Sequence, residues 1–350
     1  MSISRFPKCV VGVFTMAVAL ATSAAGAQAA GTTEHYQATD TLMAEAEPGT
    51  DAAAMLDQFR WERQTFDVKR IASPSETLQL EGRLKTDAQT MLTFPSPLPR
   101  EDDGEAVNTV VLEWFAAEGV AADASAPAVL VLDILDGRML ISRAFARALS
   151  QQGIHAFVMH MPSYGLRPID RFMLEGELFF ELCTQAVADA RRARDVIAAL
   201  PEVEDDRISI QGTSLGGFIA SAAAAVDPVF DNAFILLAGG NLYEMFLNGH
   251  REAASIREAL ARAGFEGERL RELCERIEPT RLAHRLNPAT TYLISASNDQ
   301  VVPAANARAL AAAASLGESN HLWLAGDHYS VLLYMPSAAR MMIDAIHLPN

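Results

Sequence analysis

Apolar residues change their spacing twice along the chain. Between 65 and 119 they come in short, interrupted runs. The clearest are Met91-Leu92-Thr93-Phe94 and Val110-Val111-Leu112-Glu113-Trp114-Phe115, with Pro95-Ser96-Pro97-Leu98-Pro99 and an acidic turn between them. Runs of this kind predict mostly antiparallel strands. From 128 the rhythm becomes regular. Strand-like runs at 128–132, 154–159, 207–211, 233–237 and 291–295 alternate with helical spacing at 142–152, 177–200, 215–226 and 304–316. The first two helices stop at Gly153 and Pro201, both good helix terminators. A last strand at 321–324 and a closing helix from about 331 complete the pattern. A strand apolar throughout is one covered on both faces. The alternation therefore predicts an α/β fold: a mainly parallel sheet with helices on both faces, preceded by antiparallel strands.

One stretch breaks the rhythm. Residues 241–287 are mostly helical in spacing and charged, with Arg257, Arg262, Arg269, Arg271 and Arg276 among glutamates. By charge this reads as a solvated surface helix pair. By its place after Ala238-Gly239-Gly240, between two core strands, it is also a candidate for a small helical cap over the sheet end. Upstream, 51–64 has helical spacing at Met55, Leu56 and Phe59, and 32–50 is polar and rich in small residues, a loose arm.

The first 29 residues have the form of a secretory signal. Arg5 and Lys8 precede an apolar run at 9–21, which is too short to span a bilayer comfortably. Ala27-Gln28-Ala29 offers a cleavage site after Ala29. The expectation is a secreted or periplasmic protein with no stable membrane insertion after cleavage. The organisation expected is thus a leader (1–29), an arm and helix (30–64), and one catalytic-sized domain (65–350) carrying the 241–287 insertion.

Charge and cysteine content narrow the class. The 350 residues carry a formal charge of −16, which repels nucleic acid and anionic lipid. Past the leader there are two cysteines, Cys183 and Cys274. Each lies in an apolar helical stretch, where a thiol packs as a small hydrophobe, although an exported chain could also join them. No CxxC or HExxH element is present, so a metal site has no positive support in the sequence.

Candidate chemistry centres on Ser209-Ile210-Gln211-Gly212-Thr213-Ser214-Leu215-Gly216-Gly217. It contains G-x-S-x-G between an expected strand and an expected helix. The turn from strand to helix must be sharp, so only very small residues fit two before and two after the serine. The Ser214 hydroxyl then stands at the carboxyl edge of the sheet beside a helix N-terminus, which favours developing negative charge. A serine hydroxyl needs a base. Downstream lie His250, His284, His321, His328 and His347. His328, in Ala325-Gly326-Asp327-His328, follows the last apolar strand and is the candidate. Asp299, in Asn298-Asp299-Gln300-Val301-Val302-Pro303, follows the preceding strand and is the candidate acid to orient it.

With these residues the chain resembles the α/β-hydrolase superfamily over about 128–348. Val187-Ala188-Asp189-Ala190-Arg191-Arg192-Ala193 and Pro162-Ser163-Tyr164-Gly165-Leu166-Arg167 resemble the dienelactone hydrolase and acetyl xylan esterase branch. The resemblance implies a Ser214-Asp299-His328 triad, no cofactor, and hydrolysis of a carboxylic ester or related acyl bond in a small-molecule or carbohydrate ester. A peptidase of the same fold uses the same machinery, and a non-catalytic binding protein could retain the fold. One position departs from the family. Relatives often carry His-Gly after the first core strand; here the stretch is Asp133-Ile134-Leu135-Asp136-Gly137-Arg138, so Asp133, or Asp136 if the strand is longer, replaces the histidine. The oxyanion donors expected are the main-chain amides of Leu215 and Leu135, with Gly137 or Arg138 as alternatives to Leu135. An acid there is tolerable if it points away, toward Arg138 or Arg167.

Overall fold

The computed structural model describes residues 32–42, 46–72, 86, 88–101, 104–121, 123–169 and 176–348. The expected leader lies outside them. Among these residues ten strands form one sheet: β1 (Thr33–Thr39), β2 (Thr65–Ala72), β3 (Thr90–Pro95), β4 (Thr109–Phe115), β5 (Ala126–Leu132), β6 (His155–His160), β7 (Val203–Thr213), β8 (Ala233–Leu236), β9 (Thr291–Ala296) and β10 (His321–Leu324). Their order is β1-β2-β3-β4-β6-β5-β7-β8-β9-β10. The first four pair antiparallel, and β4 meets β6 antiparallel. From β6 onward every pairing is parallel. This is the mixed α/β architecture that the periodicity predicts.

The helices are α1 (Ala52–Asp57), α2 (Glu105–Asn108), α3 (Leu140–Ser150), α4 (Leu178–Ala198), α5 (Leu215–Val226), α6 (Leu242–Asn248), α7 (Glu252–Arg262), α8 (Gly267–Arg276), α9 (Ala304–Ala313) and α10 (Met335–His347). Every residue of β5 and β6 is buried, which is why β5 is apolar throughout and β6 is apolar between His155 and His160.

Two expectations at the N-terminal end need correction. Part of the loose arm is strand β1, paired with β2 from Thr33↔Ile71 to Thr39↔Thr65. Of its seven residues only Ala38 is buried. Main-chain pairing at the sheet edge holds it, so it left no hydrophobic period to read. The helix expected over 51–64 is shorter, Ala52–Asp57; Phe59 is fully buried beyond its end.

α4 carries charges where a core helix normally does not. Arg192 grips Asp40 with two hydrogen bonds, Nε to Oδ1 at 2.9 Å and Nη2 to Oδ2 at 2.7 Å. Arg191 reaches Asp227 at 2.8 Å, and Asp189 accepts from Arg167 at 2.7 Å and from Ser96 at 2.5 Å. These arginines are fully buried and each is neutralised by a carboxylate, as burial requires. The pairs tie β1, the loop after β6 and the loop before α2 to one helix.

The 241–287 insertion is only half solvated. Leu242, Met245, Phe246, Ile256, Leu260, Leu270 and Leu273 join the main hydrophobic core. Phe246 meets Phe180 of α4 edge-on at 6.3 Å. The Glu278 carboxylate closes the base of the insertion by accepting from the Asn241, Leu242 and Thr280 amides. Of the arginines that suggested a solvated pair, Arg262, Arg269 and Arg276 are exposed, while Arg257 and Arg271 are half-buried. Cys183 and Cys274 are both free and buried.

Candidate active site

The turn from β7 to α5 places Ser214 at φ 52° and ψ −116°, a conformation that strains any residue with a Cβ. Its neighbours explain how the strain is held. A Cβ on Gly212 would sit 1.9 Å from the Gly216 carbonyl oxygen, and one on Gly216 would sit 2.5 Å from the Leu132 carbonyl oxygen. The Gly216 amide donates to the Asp133 carbonyl at 3.0 Å, and the Ser214 amide donates to the Leu236 carbonyl at 2.8 Å. The turn is thus locked between β5 and β8, which flank β7.

The structure brings Ser214, His328 and Asp299 together across 114 and 29 residues of sequence. His328 Nε2 lies 3.0 Å from Ser214 Oγ, and Nδ1 lies 2.7 Å from Asp299 Oδ2. A carboxylate only accepts, so Nδ1 carries the proton and Nε2 is left to accept from the serine. The other Asp299 oxygen accepts from the Val301 and Val302 amides at 2.8 and 2.9 Å, which fixes the carboxylate in its turn. Asp299 and His328 are both nearly buried, at 9% and 8% exposure, which strengthens the pair relative to water. Asp327 is spent locally, accepting from the Tyr329 and Ser330 amides. Three of the other four candidate histidines have different partners: His284 meets Glu47, His321 meets Ser295, and His347 meets the Gln152 carbonyl; His250 is exposed in the link between α6 and α7.

Leu215 opens α5, so its amide is one of the N–H groups a helix leaves without an internal partner. In the loop after β5, the Asp136 amide donates to the Ile134 carbonyl and the Arg138 amide to Asp136 Oδ1, each at 2.8 Å. Arg138 is therefore spent, which leaves Leu135 and Gly137 from the three amides considered.

β5 ends at Leu132, so Asp133 is the first residue beyond the strand. It points toward neither arginine. Asp136 pairs with Arg138 at 2.9 Å, and Arg167 is held by Asp189. Asp133 is fully buried; Oδ1 accepts from the Ser142 amide in the first turn of α3 at 3.1 Å, and Oδ2 has no partner among the described residues. Burial pushes its carboxyl up to about 6, with the Asp136 charge adding to the rise and the Ser142 and Ile134 amides opposing it. In the unfolded chain an aspartate titrates near 3.9. Folding therefore disfavours the charged form, and stability from this group is lost as pH rises from about 4 to about 6. Asp133→Asn cannot ionise. Its stability relative to the parent is expected to improve by on the order of 2–3 kcal/mol between pH 4 and pH 7. Urea unfolding of both proteins at the two pH values measures this; an equal difference at both would rule it out.

Sequence reading missed the residues that brace this loop. The Tyr164 hydroxyl donates to the Ile134 carbonyl at 2.9 Å, and Arg143 Nη1 donates to the Arg138 carbonyl at 3.1 Å. Arg143 is itself paired with buried Glu113, which also meets His160 at 2.8 Å. Burial alone would raise Glu113, but hydrogen bonds and charge from Arg143 and His160 pull it down to about 2. The signal was present: Glu113 is a carboxylate inside an otherwise apolar strand, which demands a buried partner. Among the described residues no cluster of three or more His, Cys, Asp or Glu could hold a metal, and no helix is long and apolar enough to cross a membrane.

A mostly parallel sheet with a strained serine between a core strand and its following helix defines the α/β-hydrolase fold. Within it, residues 173–236, which span α4 through β8, match the family model of acetyl xylan esterase. No curated protein matches the sequence. Among solved structures, the acetyl xylan esterase from Paenibacillus sp. R4 superposes with a TM-score of 0.61 at 16% identity, over 86% of this chain and 95% of that one. Acetyl xylan esterase 1 from Thermoanaerobacterium sp. JW/SL YS485 gives 0.55 at 13% identity over the same shares. A puromycin-hydrolyzing peptidase from Mycobacterium tuberculosis gives 0.51 at 14%, over 81% of this chain and 52% of that one. The chain resembles the acetyl xylan esterase branch, and at these identities the structural likeness is one of fold.

Proposed function

We propose that this protein is a serine hydrolase that cleaves carboxylic esters through an acyl-enzyme on Ser214. The carrying observation is the continuous hydrogen-bond chain from Asp299 through His328 to Ser214 at the strained turn. His328 Nε2 takes the Ser214 proton as Oγ attacks the ester carbonyl. The Leu215 and Leu135 amides donate to the oxyanion, and Asp299 stabilises the imidazolium. The tetrahedral adduct collapses, the C–O bond to the alcohol breaks, and His328 returns its proton to the departing oxygen. Water then repeats the cycle on the acyl-enzyme and releases the acid. This chemistry needs no cofactor.

The acetyl xylan esterase family match supports an ester as the bond cleaved and a small-molecule or carbohydrate ester as substrate. The leader-like N-terminus supports action outside the cytoplasm, secreted or periplasmic. Treatment with a fluorophosphonate is expected to add one phosphonyl group, which peptide mass spectrometry places on Ser214. His328→Ala is expected to slow that labelling by several orders of magnitude. A chain that stays unmodified at Ser214 while correctly folded would instead be a binding protein that keeps the fold.

A further inference from the structure

The link between α6 and α7 touches both loops that carry the partners of Ser214. The His250 amide donates to the carbonyl of Gln300, the residue after Asp299, at 2.6 Å. The Arg251 guanidinium lies 4.9 Å from the centre of the Tyr329 ring, and Tyr329 follows His328, whose ring it meets edge-on at 5.6 Å. Burial raises the Tyr329 hydroxyl well above its ordinary titration range; nearby Glu252 adds to the rise and Arg251 opposes it. Asp327 lies close enough to Arg251 to feel its charge.

Arg251 is held there against its own backbone preference. It adopts φ 56° and ψ −116°, close to the values of Ser214. Strain of this kind persists only where the surroundings over-determine it, and it gathers at functional sites. The surroundings are visible: Arg257 Nη1 donates to the carbonyls of Phe246, Leu247 and Gly249 and clamps the link from behind. Arg251, Glu252 and Tyr329 are all exposed.

His328 returns its proton to the departing alcohol, so the groups flanking its ring on the solvent side meet the alcohol part of an ester. The acyl part is held at the other end, against the amides of the strained turn and the β5 loop. We propose that Arg251, Glu252 and Tyr329 form the alcohol-side subsite and set which alcohols the enzyme releases; this rests on the serine hydrolase reading above. A guanidinium and a carboxylate side by side offer both donors and acceptors. They favour an alcohol that carries further hydroxyl groups over a plain alkyl alcohol.

Three esters separate the two sides of the site: glycerol monoacetate, propyl acetate and propyl butyrate. The first two differ in the alcohol, the last two in the acyl group. In the parent enzyme kcat/KM is expected to favour glycerol monoacetate over propyl acetate. Arg251→Ala and Glu252→Gln are each expected to lower that preference by about tenfold, mostly through KM, as loss of a charged hydrogen bond does. The acetate-to-butyrate ratio at fixed propyl alcohol stays unchanged. Arg251→Gly removes the same guanidinium and relieves the backbone strain, so it guards against loss of fold. An alcohol preference that survives in folded variants, or an acyl preference that moves with it, overturns the proposal. Hydrolysis that persists in Ser214→Ala would instead overturn the serine hydrolase reading, so the two failures are distinguishable.

Discussion

Ser214→Ala is expected to lower kcat on an acetyl ester by about 10⁶, because nucleophile and base act as a unit and removal of either forfeits the acyl-enzyme route. Asp299→Asn is expected to cost about 10⁴. An amide presents an N–H donor where His328 Nδ1–H needs an acceptor, so the imidazole either loses its partner or turns to the wrong tautomer. Neither change is expected to disturb the fold greatly. Alanine at 214 inherits the same φ and ψ, and the turn stays locked by Gly212 and Gly216. Steady-state rates on a chromogenic acetyl ester, with circular dichroism as a check of folding, measure both. A drop of less than tenfold in Ser214→Ala would remove the nucleophile assignment.

The largest stability effect is expected far from the serine. Asp40→Ala leaves the Arg192 guanidinium fully buried with the Pro95 carbonyl but without its carboxylate. Breaking a buried pair by deleting one partner costs about 3–5 kcal/mol. Removing both charges together is different. Asp40→Leu with Arg192→Met exchanges the pair for apolar volume and is expected to cost far less than either deletion alone, since no uncompensated charge remains. Guanidinium denaturation of the single and double variants gives the comparison. If the double variant proves as unstable as Asp40→Ala, packing rather than charge holds that junction.

Local features were legible in the sequence. The helix at 215–226 and the strand at 321–324 have the ends expected of them, since each is short and bounded by clear stops. Ser214, Asp299 and His328 could be named because each follows an apolar strand, and such loops gather at one edge of a parallel sheet. What was not legible depends on distant pairing. β1 shows no alternation, since it buries only Ala38. Asp133 could be flagged as an intruder, but its direction toward the Ser142 amide is set by how α3 packs. The arginines of α4 look like surface charges until their carboxylates arrive from elsewhere, as Asp40 does across 152 residues.

That separation has a kinetic consequence. Closing a loop of n residues costs entropy that grows as the logarithm of n, and a long-range contact recovers nothing until its own framework stands. The Asp40 clasp has no partner before α4 is docked. β1 therefore joins the sheet late in folding, and until it does the outer edge of β2 stays open to pairing with another chain. In a chain that arrives N-terminus first, this early strand is made before every other strand of the sheet among the described residues and yet is among the last to find its place. A protease that cuts between β1 and α1 early in refolding, but not in the native protein, would time that event.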